Sequence, residues 1–142
     1  MKPILIAYAA SLISFIILDA IWLGFVAKNF YAEQMAGLLR GSPNWYAAIL
    51  FYLVYAFAIT YLVIAPNAAP AAEPTAFVNS QWQAVMLAGA IFGLGAYGTY
   101  NLTNLAVLEG WPAKATFIDW AWGTALTSVT ALSGYAAMTA LR

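Results

Sequence analysis

Four stretches of this chain, each about 20 residues or longer and almost free of charge, leave it few folds to choose from. They run from about Ile4 to Val26, Trp45 to Ala65, Trp82 to Leu108 and Ala113 to Leu141. A helix needs about 20 mostly apolar residues to cross the hydrocarbon core, and its backbone groups must find their partners within the segment. Composition agrees: 65% of the 142 residues are hydrophobic and 7% are charged, against about 25% charged in a soluble domain. The first stretch outruns the roughly 7–15 apolar residues of a signal peptide and carries Asp19 and Trp22 near its end. The expected fold is an all-α integral membrane protein: a four-helix transmembrane bundle, up-down-up-down, in one domain over 1–142.

The connections are of different kinds. Between Lys28 and Asn44, Phe30, Tyr31, Met35, Leu38 and Leu39 recur at near-helical spacing, which predicts a short interfacial helix over about 29–40. Gly41-Ser42-Pro43 is expected to end it, because proline disfavours a helical predecessor. Residues 66–81 read as a Pro/Ala linker without periodicity. Glu109-Gly110-Trp111-Pro112 is a tight turn: Gly110 suits a helix end, Pro112 the first turn of the next helix, and Trp111 the headgroup zone. Basic residues divide almost evenly between the two sides, so charge does not set the orientation.

What the chain lacks narrows its chemistry. It has no Cys and no His, which removes thiol nucleophiles, the commonest metal ligands and the commonest general base. No cofactor and no metal site is expected, and no residue is singled out as catalytic. A formal net charge of +0 gives no argument for nucleic acid as a partner, and none is expected.

Against this apolar background, Asp19 and Asp119 stand out. An acid in hydrocarbon costs about 2.5–3.5 kcal/mol on insertion scales and faces protein or a wet cavity. Both occur in an Asp-x-x-Trp phrase, Asp19 to Trp22 and Asp119 to Trp122. At 1.5 Å per residue, alternating helices place both roughly 9–11 Å inside the same membrane boundary. Tyr100, Asn101 and Asn104 approach that boundary on the third stretch, and Tyr52 lies at a matching depth on the second. Asp19, Trp22, Tyr100, Asn101, Asn104, Asp119 and Trp122 are therefore the candidate binding residues. The structural alternative is that such groups only hydrogen-bond between helices, and Gly89-x-x-x-Gly93 likewise reads first as a packing motif.

Leu18-Asp19-Ala-Ile-Trp22-Leu-Gly24, Tyr100-Asn-Leu-Thr-Asn-Leu-Ala106, Gly110-Trp111-Pro112 and Ile118-Asp119-Trp-Ala-Trp122-Gly-Thr124 resemble the uncharacterised bacterial membrane-protein family DUF2177. The resemblance covers essentially the whole chain. It implies a multi-pass protein of the bacterial inner membrane and no established activity. The family's phrase carries an Asp where this chain has Asn101.

Three functions compete. The first is a binding or accessory protein whose polar pocket near one leaflet holds a lipid or small amphiphile, or which docks on a larger membrane complex. The second is a proton-coupled transporter working as a homodimer, paired through the Gly89/Gly93 face. The third is a lipid-modifying enzyme using Asp19 and Asp119, and the lack of an evident nucleophile places it last.

Overall fold

The computed structural model describes residues 2–68 and 80–141. They form five helices: α1 Lys2–Val26, α2 Lys28–Gln34, α3 Trp45–Asn67, α4 Gln81–Val107 and α5 Ala113–Ala140. By length and composition α1, α3 and α4 can each cross a membrane. The fifth helix is as long, at 28 residues, but carries Lys114, Asp119 and repeated Ser and Thr.

The reason lies in where α5 sits. It packs along α4, against α1 and on the second half of α3. Its inward positions, from Thr116 through Gly123, Leu126, Thr127 and Thr130 to Met138, are buried. The other long helices turn Leu5, Ile13, Leu50, Phe57, Ile91 and similar side chains outward. A helix wrapped by protein does not need a lipid-compatible surface all round, and its hydroxyls can bond back to its own carbonyls. Thr127 does so to Gly123 at 2.6 Å and Thr124 to Trp120 at 2.8 Å.

Small residues fix the central contact. Gly89 abuts Ser128 and Ala131, Gly93 abuts Thr127 and Gly123, and Gly98 abuts Trp120, which is an antiparallel register. A Cβ on Gly93 would stand 2.7 Å from that of Thr127 and 2.8 Å from the Gly123 carbonyl oxygen. The Gly89/Gly93 face is thus covered by this chain's own α5 and is closed to a second copy. Phe15, buried against Phe51, Tyr52 and Tyr55, centres the α1–α3 contact.

Three local features depart from the sequence expectations. The surface helix stops at Gln34, not near Arg40. Gly37 takes φ +84°, and Leu38 N–H turns back to the Met35 carbonyl at 2.9 Å. A left-handed glycine just past a helix is a terminator in its own right, ahead of Pro43. Second, α1 and α3 contain π-helical turns, Trp22–Val26 and Ile59–Ile64. The latter stands before Pro66, which lacks an N–H and crowds the preceding turn. Third, α3 continues through Pro66 to Asn67, and residues 69–79 of the expected linker lie outside the described residues. The α4–α5 turn follows expectation at Gly110, φ +75°. Pro112 caps α5 from just outside its first turn, accepting from Thr116 N–H at 3.0 Å.

Candidate functional site

In a helix, Asp at one position and Trp three later share a face. α1 and α5 run antiparallel, so the two Asp-x-x-Trp phrases meet head to tail. Residue 19 lies opposite 122, and 22 lies near 119. The tryptophans stack face to face, with centroids 4.3 Å apart and planes 7° from parallel. Each then serves the other phrase's acid. Trp122 Nε1 donates to Asp19 Oδ1 at 3.4 Å. Trp22 Nε1 donates to the Tyr31 hydroxyl at 3.3 Å, which donates to Asp119 Oδ1 at 2.9 Å.

The remaining carboxylate oxygens are reached from the other helices. Tyr52 on α3 donates to Asp19 Oδ2 at 2.7 Å. Asn101 on α4 donates through Nδ2 to Asp119 Oδ2 at 2.6 Å and to the Tyr97 carbonyl at 3.0 Å. All five helices thus contribute a group to one polar cluster. Indole N–H is a donor only, so the direction of these bonds is fixed at the tryptophans, and both oxygens of each acid accept. Asp19 is 8% exposed and Asn101 2% exposed, so breaking either set would strand polar groups.

Two cavities adjoin the cluster. The larger, about 590 Å³, is lined by Asp19, Leu23, Phe51, Tyr55, Ala96, Tyr97, Tyr100 and Asp119. The smaller, about 350 Å³, lies under α2 between Lys28, Tyr31, Met35, Trp111, Asn101 and Asp119. Leu23, Tyr100 and Asp119 border both. Its α3 wall meets its α4 wall where the Tyr55 ring contacts Phe92 and Tyr97, with centroids 5.6 and 6.0 Å apart. Gly123 makes the Tyr97 wall possible, because a Cβ there would fall inside that ring.

Of the residues singled out from sequence, Asp19, Tyr100, Asn101 and Asp119 line these cavities, and Trp22 and Trp122 brace the acids from behind. Asn104 is different. It is half-buried, lines neither cavity, and among the described residues its side chain bonds to no member of the cluster. Tyr31, Tyr55 and Tyr97 were not singled out as binding residues. Tyr31 reads in sequence as part of an apolar stripe, whereas here its ring packs and its hydroxyl bridges Trp22 to Asp119. Burial pushes the Tyr31 phenol well above its ordinary pKa, with the neighbouring Asp119 adding to the shift. Depth alone flagged Tyr52.

Among the described residues no group of three or more His, Cys, Asp or Glu could hold a metal ion. The arrangement is that of a helical membrane protein with a hydrogen-bonded acidic centre beside open space. The chain belongs to the family described as "Predicted membrane protein (DUF2177)", whose model matches residues 4–136. No curated protein and no solved structure matches it.

Proposed function

We propose that this is a small multi-pass protein of the bacterial inner membrane that binds a lipid or small amphiphile in the cavity beside Asp19 and Asp119. In this reading α5 is a fourth span, covered by α1, α3 and α4 on its inner side and presenting Phe117 and Val129 outward. The observation that carries the proposal is the pair of adjoining cavities that meet at Asp119, one walled by α1, α3, α4 and α5 and one beneath α2. Sites of this kind combine mostly apolar walls with a few placed polar groups. A head near the acids would leave its chain to pass Leu23, Phe51 and Ala96 toward the acyl region.

Lipid extraction and mass spectrometry on protein purified in mild detergent test the reading. One amphiphile should be recovered reproducibly from wild type and lost from Ala96→Trp, which fills the larger cavity. Equal recovery from both proteins would sink the proposal.

A further inference from the structure

We infer that the larger cavity takes an ammonium head, so that the amphiphile bound is an amine. The inference rests on the binding reading above and names its ligand class.

Three observations converge. The first is charge. The cavity is bordered by two acids and by no basic side chain. Among the described residues, neither acid forms an ion pair, and all the donors that reach them are neutral. Lys28 lines the smaller cavity and makes no ion pair with Asp119, while Lys114 sits over the Phe30 ring at 5.7 Å. Acids within a membrane are usually paired, and a cation entering the cavity would supply the missing charge.

The second is the polarity of the hydrogen bonds. Four N–H and O–H groups already point at the acids, Tyr52 and Trp122 at Asp19 and Tyr31 and Asn101 at Asp119, and the Tyr55 hydroxyl is held by Thr127. Asn101 uses its second amide hydrogen on the Tyr97 carbonyl. Each carboxylate oxygen retains acceptor capacity, so the acids offer the cavity acceptors. An ammonium group brings only donors. A phosphate or carboxylate head would bring only acceptors and meet like charge.

The third is the wall itself. Phe51, Tyr55, Tyr97 and Tyr100 all border the space. The faces of aromatic rings attract cations, and sites for alkylated ammonium ligands are built from several such rings. Acids alone would be satisfied by any cation. Acids with four rings and otherwise apolar walls favour an organic one.

The test uses the full chain in an uncharged maltoside detergent with dodecylamine, dodecanol and dodecyl phosphate as probes, bound complexes being counted by native mass spectrometry at pH 7. Dodecylamine should bind at least about ten-fold more tightly than the alcohol, and the phosphate least. A single lost charge contact of about 1.4 kcal/mol is one factor of ten. Asp19→Asn, whose oxygen can still accept from Trp122 while its amide donates to the Tyr52 hydroxyl, should remove about that factor for the amine and change the alcohol far less. If the alcohol binds as well as the amine, and both are lost in Ala96→Trp, the ammonium inference is overturned and the amphiphile reading stands. If no probe binds, or binding survives Ala96→Trp, both fall. Selectivity among the probes is read on wild type, so a poorly folding Asp19→Asn leaves the inference open to refutation.

Discussion

The two ends of the bundle solve the same problem, holding helices together without a hydrophobic drive from water, in opposite ways. At the end away from α2, Ala7, Ser11, Ile64, Gly134 and Met138 press together, and Gly134 lies directly against the Ser11 side chain. Two hydroxyls deep in the bundle, those of Ser11 and Thr130, have no hydrogen-bond partner among the described residues. At the other end both oxygens of Asp19 and both of Asp119 are matched to a donor, yet open cavities remain beside them. Close packing with polar groups left idle belongs to a structural contact. Satisfied polar groups beside unfilled space are what the proposed binding site requires.

Substitutions that add volume break this contrast most sharply. Gly134→Val forces a side chain against Ser11, Ile64 and the Ala7 carbonyl oxygen, where the backbone cannot yield. It should cost about 3 kcal/mol, at the upper end for overpacking, read as a fall in thermal midpoint in detergent. Gly123→Ala at the open end puts its methyl on the root of the Tyr97 ring, so that the whole side chain must shift toward the larger cavity it borders. It should cost about 1 kcal/mol, the lower end of the same range. Equal losses would mean that the cavity end is as rigid as the closed one.

Removing polarity reverses the ranking. Asn101→Leu strips a donor from Asp119 and another from the Tyr97 carbonyl, and should cost about 2 kcal/mol, as for hydrogen bonds to charged groups. Thr130→Val deletes a buried hydroxyl that has no partner among the described residues and keeps the shape. It should be neutral or stabilising by up to about 1 kcal/mol. Chemical denaturation of the two variants side by side gives the sign of each, and a loss at Thr130 would show that its hydroxyl is bonded in solution.

How much of this was legible in sequence follows from the physics of each signal. Long apolar runs reveal helices because lipid acts on every residue of a span, and the helix ends fall within a few residues of expectation at Trp45, Val107 and Ala113. The Asp and Trp pairs were visible because their spacing is local and an acid in hydrocarbon is conspicuous. Asn101 followed from face and depth. Tyr31 did not, because a phenol serves an apolar stripe and a hydrogen bond equally well, and only the fold of α2 over the bundle selects between them. The π turns were illegible too, since they answer to packing and to Pro66 and not to a residue pattern. Asn104 shows the limit of helical phase: it lies about a turn beyond Asn101, yet α4 directs only the first of them onto Asp119.

The smallest effect sharpens the boundary between the polar end and the aqueous side. Tyr31 lies on α2, outside the long helices, and burial raises its phenol pKa above the ordinary value of 10.0, partly offset by the Trp22 indole and increased again by Asp119. In the unfolded chain the phenol ionises near 10, whereas in the folded protein it keeps its proton to higher pH. The folded state then binds more protons than the unfolded one above pH 10, so stability falls as pH rises there. This contribution is fully present below pH 10 and is lost as pH climbs toward the folded value. Tyr31→Phe should lower the midpoint at pH 8, through the lost bond to Asp119, and make its decline between pH 10 and 11 shallower than in wild type. An unchanged slope would place the Tyr31 hydroxyl in contact with bulk water, and α2 would then be no cover for the smaller cavity.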